Sequence, residues 1–369
     1  MKIMLTCAGR RNYLARFVKE VLGTRGQVIA CDASDSAPAF VESDLWFTVP
    51  PLDHPHYLDE LLSICREQRV RLLLSVNDLE LEGLARRAPE FRAVGTIPVV
   101  SSPQVIALCQ DKWAAFQFLR ACDIPTPDTY SSLSDVRQAL ANGAISFPLM
   151  LKPRWGTSSI GVEYIDNERE LVLAYEWGKV HLQRTIIARL SQADPDSCFV
   201  FQKYVPGKEY GLDIVNDLNG THVCTWARRK LVMRAGNTDR ACTVVEPRLA
   251  RLGEVIGRRL SHVGCLDCDL IVTDNACQVL DLNPRLGGGY PFSHLAGANL
   301  PAMLLAWASE AELDPSWLEP RAGVLSSKYD GVVVVNRQVP IGIPTTAEDH
   351  SPPSLPAPSP PLLQGQSAG

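Results

Sequence analysis

Between residues 281 and 289 the chain reads Asp-Leu-Asn-Pro-Arg-Leu-Gly-Gly-Gly. On a strand, Asp281 and Asn283 stand at i and i+2 and turn their side chains to one face. Two oxygen donors on one face suit magnesium, which takes oxygen ligands and keeps waters and substrate phosphates around it. Asp269, on the preceding strand of an expected hairpin, supplies a third oxygen to that face. Arg285 follows at once and is placed to stabilise a phosphoryl oxygen. A buried salt-bridge cluster is the alternative use of the same residues.

Two further segments carry groups suited to a nucleotide. Phe147 to Pro153 is an apolar run ending in Lys152-Pro153, followed by Trp155-Gly156-Thr157-Ser158-Ser159-Ile160-Gly161. Small residues there admit a phosphate close to the backbone, Ser158, Ser159 and Gly161 offer hydroxyls and amides, and Lys152 adds charge. The lysine precedes the glycines and no helix signal follows, so this is not a Walker A loop. The other segment is Gln202-Lys203-Tyr204-Val205-Pro206-Gly207-Lys208-Glu209. Residues 202 to 205 present amide and backbone groups for a flat base edge, and Glu209 is an acceptor for ribose hydroxyls. Each segment taken alone also reads as an ordinary strand and turn.

The elements around these segments change character along the chain. In the first hundred residues strands at Lys2–Cys7, Val28–Cys31 and Arg71–Val76 alternate with helical spacings of apolar residues at 13–22 and 58–65, and Asn77-Asp78 caps a further helix. Such alternation predicts an α/β domain with a parallel sheet and helices on both faces. Its strand ends carry Gly9-Arg10-Arg11-Asn12, Asp32 and Asn77-Asp78. The first of these lacks the G-x-G-x-x-G pattern of a dinucleotide site. Asp111-Lys112 lies at or in a helix bearing Trp113, Phe116 and Leu119. From residue 149 paired strands with short turns at Asp217–Gly220 and Asp274–Ala276 predict an antiparallel α+β region. Strands are expected at Leu149–Lys152, Val162–Ile165, Phe199–Tyr204, Tyr210–Val215, Val223–Ala227, Asp269–Val272 and Val279–Asn283, with a last helix at Leu300–Ala311 and a last strand at Gly331–Val335. The Pro- and Ser-rich stretch from His350 onward has the composition of a disordered tail.

The net charge of −5 provides no basic field for a nucleic-acid backbone. The cluster Arg228-Arg229-Lys230 reads as a solvated or anion-binding surface. No apolar run is as long as a membrane span, and the N-terminus is broken by Arg10 and Arg11 too early for a secretory signal, so a cytoplasmic protein is expected. The 11 cysteines are scattered, and Cys265 and Cys268 lack partners to complete a zinc site.

In order and spacing, the lysine strand, the Gln202 segment and the Asp-Leu-Asn-Pro-Arg-Leu-Gly-Gly-Gly stretch resemble the ATP-grasp superfamily. The chain looks most like its single-copy members, similar to one half of the carbamoyl phosphate synthase large subunit or to the pyrrolysine-biosynthesis ligase. The resemblance covers roughly residues 1 to 310. It implies a pre-ATP-grasp domain at 1–106, an ATP-grasp domain at 107–330 with a central subdomain at about 125–205, and a C-terminal extension at 331–369 whose tail is disordered from about 345. It further implies that Lys112 and Lys152 contact ATP phosphates and that Gln202, Lys203 and Val205 form the adenine hinge. Glu209 would take the ribose, and Asp269, Asp281 and Asn283 would hold Mg2+ or Mn2+. Arg285 with Lys152 would serve the phosphoryl transfer. Asn237 stands where an acid is usual.

The implied reaction joins a carboxylate to an amine through an acyl phosphate, releasing ADP and phosphate. Small acids and amines, amino acids among them, are the expected partners, with homodimerisation a family-level expectation. Arg10, Arg11, Asn77, Asp78, Arg228 and Arg234 are the candidate substrate contacts, arginines suiting a carboxylate or phosphate. Two other readings stand beside this one. Bicarbonate-phosphorylating relatives carry a second copy or a further domain, whereas about 40 residues follow Tyr329 here. A non-catalytic nucleotide-binding module need not keep Lys152, Asp269, Asp281, Asn283 and Arg285 together.

Overall fold

The computed structural model describes residues 1–157, 159–191, 194 and 197–335. Ser158 and the expected tail from about 345 lie outside the described residues.

The first sheet is built from β1 (Lys2–Thr6), β2 (Gln27–Asp32), β3 (Leu45–Thr48), β4 (Leu72–Ser75) and β5 (Ile97–Val99), all parallel, in the order β3-β2-β1-β4-β5. Helices α1 (Asn12–Leu22), α2 (Tyr57–Gln68) and α3 (Asp78–Ala93) connect its strands. Successive residues of β1 serve opposite cores, as the period of two requires. Ile3 and Leu5 pack with Leu14 and Val18 of α1. Met4 packs with Leu61 of α2 and Leu84 of α3. The parallel α/β domain expected from the sequence is therefore present, with two strands, β3 and β5, that the apolar pattern did not reveal. β5 carries Pro98, which an edge strand tolerates because one side needs no ladder donor.

The order in which strands are added reverses at β1, which lies between β2 and β4. Ligands of open α/β sheets lie outside the carboxyl ends of the strands at such a point. Here the two ends are joined beneath the surface by Glu80, whose buried carboxylate accepts hydrogen bonds from Thr6 (2.7 Å), Tyr57 (2.7 Å) and Ser75. Burial pushes the Glu80 carboxyl up, against the pull of those hydroxyls.

Helices α4 (Pro103–Gln110) and α5 (Lys112–Ala121) lead into a four-stranded antiparallel sheet made of β6 (Thr129–Tyr130), β7 (Leu149–Pro153), β8 (Glu163–Ile165) and β9 (Phe199–Lys203), ordered β6-β9-β7-β8. Helices α6 (Leu133–Ala141), α7 (Glu168–Leu182) and α8 (Ala188–Ser191) belong to this part, and Val136, Leu151, Leu171 and Phe201 share its core.

The third sheet has six antiparallel strands: β10 (Lys208–Asn216), β11 (His222–Arg234), β12 (Asn237–Val244), β13 (Gly264–Val272), β14 (Cys277–Asn283) and β15 (Leu325–Ser327), ordered β14-β13-β10-β11-β12-β15. Helix α9 (Pro247–Leu260) covers one face through Leu249, Ile256 and Leu260. Helices α10 (Tyr290–Leu295) and α11 (Leu300–Ala308) follow β14, and Met303 and Leu304 of α11 return to the first sheet's core beside Ile3 and Leu5.

Two expectations are corrected. The strand foreseen at Val223–Ala227 runs on through Arg228-Arg229-Lys230 to Arg234 and pairs with β12, which had no apolar signature. The cationic cluster is thus not a solvated surface: the side chains of Arg228 and Lys230 are 1% and 4% exposed. Gly331–Val335 forms no strand, and the sheet ends instead with β15.

Candidate active site

In the β13–β14 hairpin Asp269 stands directly opposite Asp281, and Asp267 opposite Asn283, so all four point to one face. The register slips between Asp269 and Leu270, leaving Leu280 as the extra residue of a bulge. Val279 and Leu282 both stay in the core, while Leu280 and Asp281 line a small cavity of about 10 Å³. Bulges commonly re-aim side chains beside active sites. Lys112, Lys152, Gln202 and Thr129 complete the wall.

Two elements aim cations at this point. Asp111 caps α5 by accepting from the amides of Trp113 and Ala114, and holds Arg154 in a two-pronged bond at 2.8 and 2.7 Å. That pairing ties the start of α5 to the end of β7. The ammonium of Lys112 then reaches the Gly156 carbonyl at 3.1 Å and lies 3.5 Å from Asp281. Lys152 donates to Gln202 Oε1 at 2.6 Å, and Gln202 donates in turn to Thr129. The Gln202 amide is thus spent within the protein, and so are the backbone amides of Lys203 and Tyr204, which donate to the carbonyls of Asp128 (2.8 Å) and Pro148 (3.2 Å). Lys203 is exposed and Val205 half-buried. Ser159 and Gly161 both adopt positive φ, 57° and 70°, which forms the tight turn after β7.

Lys230 bridges Glu209 at 2.8 Å and Asp269 at 2.7 Å. Arg285 is held from two sides. Asp78 at the start of α3 accepts a pair of bonds at 2.9 and 3.0 Å, and Asp267 lies 3.3 Å away. Burial would raise the Asp78 carboxyl, but Arg285, Thr157 and Lys112 outweigh it and hold it below the usual carboxylate range. Arg228 lies between Asp213 (2.6 Å) and Asp267 (2.8 Å), and Ser293 donates to Asp213 at 2.6 Å. Burial opposes the charge on Arg228, and the two carboxylates restore it.

Two glycines of the triple run, Gly287 and Gly289, are required by this network. A Cβ on Gly287 would lie 2.2 Å from the Asp267 carboxyl carbon, and one on Gly289 would lie 2.2 Å from Arg228 Nε. Gly289→Ala should therefore lower stability by about 1–3 kcal/mol, the usual cost of overpacking. The urea midpoint checks this, with Gly331→Ala as the reference, because that glycine has neither a left-handed φ nor a close contact, its nearest neighbour lying 3.9 Å away.

Among the substrate candidates, the side chains of Asp78 and Arg228 are engaged in ion pairs inside the protein. Asn77 caps α3 by accepting from Leu79. Arg10 and Arg234 both face Asp330, at 3.6 and 2.9 Å, on the exposed rim. Asn237 is exposed at the β11–β12 turn. Sequence reasoning missed Asp267 and Lys230, the residues that hold Arg285 and Asp269. The signal for Asp267 was available: it stands two before Asp269 and shares its face. Among the described residues no group of three His, Cys, Asp or Glu forms a metal cluster. The oxygen set Asp281, Asn283 and Asp269 still suits magnesium, which needs few protein ligands when phosphates and waters complete its shell.

Residues 3–100 match the family model described as PylC-like, N-terminal domain, and residues 196–327 match the model described as ATP-grasp in the biosynthetic pathway with Ter operon. The carbamoyl phosphate synthase large chain of Mycobacterium sp. (strain JLS) is 25% identical over 279 residues, 71% of this chain but 23% of that protein. The chain thus spans about a quarter of that relative's length. A biotin carboxylase from Campylobacter jejuni superposes with a TM-score of 0.69 at 14% identity, covering 86% of this chain and 73% of that one. An N5-carboxyaminoimidazole synthetase from Staphylococcus aureus, solved with ADP, superposes with a TM-score of 0.63 at 15% identity, covering 85% and 78%. No described helix is long and apolar enough to cross a membrane. With a parallel sheet at its start, two antiparallel sheets closing on one cleft, and a matching family model over each end of that span, the chain has a PylC-like N-terminal domain joined to an ATP-grasp fold.

Proposed function

We propose that this chain is an ATP-dependent carboxylate–amine ligase. The observation that carries the reading is that Lys112, Lys152 and Asp281, drawn from a helix and two different sheets, line one cavity, while Arg285 is clamped by Asp78 and Asp267 four residues further along the chain. A pure binder has no need of so many charges held in register.

In the proposed reaction an oxygen of the substrate carboxylate attacks the γ-phosphorus of ATP. The O–P bond forms, the bond to the β,γ-bridging oxygen breaks, and ADP leaves with that electron pair. The amine nitrogen then attacks the acyl carbon, the carbon–oxygen bond to phosphate breaks, and inorganic phosphate departs as the nitrogen loses a proton. A carboxylate has no good leaving group of its own, so phosphorylation supplies one. Lys112 and Lys152 hold phosphate oxygens, and Arg285 faces the charge of the transferring group. Asp281 and Asn283, with Asp269, would hold a magnesium ion that neutralises phosphate charge when bound. The backbone at Lys203 and Val205 would receive the base and Glu209 the ribose.

We assign residues 1–106 to the preceding domain and 107–330 to the grasp, with the substrates small acids and amines in a cytoplasmic setting, and a homodimer as the assembly that light scattering would test. ADP release on mixing Mg-ATP with a panel of amino acids and amines is the direct assay. Asp281→Ala should reduce it at least about a hundredfold. Full turnover by both Asp281→Ala and Lys152→Ala would discard the site. ADP release with bicarbonate alone would replace amide formation by bicarbonate phosphorylation.

Lys152 also predicts a pH dependence. Burial lowers its ammonium to about 8, Asp281 offsetting part of that and Lys112 adding to it. Phosphate binding requires the charged form. Half-saturating ATP should therefore be flat below pH 8 and rise above it, approaching about tenfold per unit; Lys152→Met should lack the inflexion. For stability the sign is opposite. The free protein binds fewer protons here than the unfolded chain between about pH 8 and 10.5, so Lys152's contribution rises with pH across that window.

A further inference from the structure

Most cations of the cleft are already matched: Arg285 by Asp78 and Asp267, Arg228 by Asp213 and Asp267, Lys230 by Glu209 and Asp269. Lys328, in the sequence just past β15, is not matched in this way. Its backbone amide donates to the Asp239 carbonyl at 2.8 Å, which extends the β12–β15 pairing and fixes the side chain's origin. The half-buried ammonium lies over the Phe292 ring, 5.8 Å from its centroid, and 3.9 Å from the place a Cβ would occupy on Gly288. Among the described residues it has no carboxylate within 4 Å, and neither does Arg11. The Asn237 side-chain oxygen lies 3.2 Å from that same Gly288 position and is neutral.

Lys328 is partly removed from water, and the charges of Arg228 and Arg11 act on it together; burial first, then those two cations, depress its ammonium against Asp239 and Asp267. A half-buried cation beside other cations, facing a loop stripped of side chains, is an unfavourable arrangement until an anion fills it. The loop is the triple glycine run that follows Arg285 in sequence, so an anion held there is close to the phosphoryl-transfer site. Gly288, unlike Gly287 and Gly289, would not collide with the ion-pair network if it carried a Cβ. The space its hydrogen leaves instead faces Lys328 and Asn237.

We propose that Lys328, with Arg11 and the Gly288 backbone, forms the subsite for an oxyanion of the acid substrate, either a carboxylate or a phosphate. This rests on the ligase reading and adds a residue that recognises the acid rather than ATP. Arg11 is the N-cap residue of α1, in the connection after β1, so the parallel-sheet domain and the grasp each contribute one cation. The bound group neutralises both, and specificity for an acidic substrate follows from charge and not from a shape-fitting apolar pocket.

The test is ADP release by the full chain with Mg-ATP and amine, over a panel of monocarboxylic amino acids, aspartate, glutamate and O-phosphoserine, with inorganic phosphate as competitor. Lys328→Met should raise half-saturation by the active acid about tenfold or more while half-saturation by ATP stays within about twofold, and Lys328→Arg should restore most of the loss. Asn237→Asp, an exposed change that puts a carboxylate beside the ammonium, should raise it in the same direction without touching the fold. O-phosphoserine or inorganic phosphate acting at the site would mark the anion as a phosphate, and aspartate or glutamate as a carboxylate. Unchanged acid half-saturation in both Lys328→Met and Asn237→Asp would overturn the subsite and leave the ligase reading intact. A wild-type protein that binds Mg-ATP by calorimetry but couples no acid in the panel would overturn both.

Discussion

Arg285→Ala should reduce kcat for ADP release with acid and amine by about a thousandfold, with a smaller change in half-saturation by ATP. The guanidinium is held in a fixed plane by two bonds to Asp78 and one contact to Asp267. Its orientation is therefore set before substrate arrives, which is the condition under which a cation lowers a barrier instead of merely binding. Arg285→Lys keeps a charge but loses the fork that matches the Asp78 carboxylate, so it should recover little of the rate. Alanine also leaves Asp78 buried with Thr157 as its remaining hydrogen-bond donor. Some loss of stability must accompany the loss of rate. A split between kcat and half-saturation on folded protein separates the two effects, because instability alone would lower the active fraction without changing half-saturation. Wild-type kcat in Arg285→Ala would remove the residue from the chemistry.

Arg228→Met should be the most destabilising single change at the site, costing about 3–5 kcal/mol. It is 1% exposed and joins Asp213, which is fully buried, to Asp267. Removing it strands both carboxylates away from water, one of them a partner of Arg285. The urea midpoint and a thermal scan would read the loss. A double variant, Arg228→Met with Asp213→Leu, should recover part of it, since replacing a whole buried pair by apolar groups is often neutral. No recovery would mean that Arg228 acts through Asp267 alone. A wild-type midpoint in Arg228→Met would contradict the buried network altogether.

Both residues show where sequence reading stops. Asp281, Asn283 and Asp269 were legible because a strand turns alternate residues to one face, and a two-residue spacing survives any packing. The parallel first sheet was legible because buried parallel strands carry near-continuous apolar runs. The lysine at the end of β7 was marked by the small residues after it. By contrast, Arg228-Arg229-Lys230 looked like a surface. A strand crossing buried carboxylates must carry charge, and that hides its apolar period. β12 was lost because Asp239 and Arg240 interrupt its few apolar residues, and β15 because three residues are too few to show a period.

The sequence by itself therefore determined the fold type, much of the order of elements and the shared face of Asp269, Asp281 and Asn283, because these follow from spacings of a few residues. Only the tertiary structure decided which charge meets which. Asp78 and Arg285 are 207 residues apart in sequence and 3.0 Å apart in space. Asp267 reaches Arg228 across 39 residues, and the Lys328 ammonium reaches the glycine loop only because β15 pairs onto the sheet edge. Coulomb attraction between buried groups depends on distance and on exclusion of water, and neither is set until separate sheets have closed on one another.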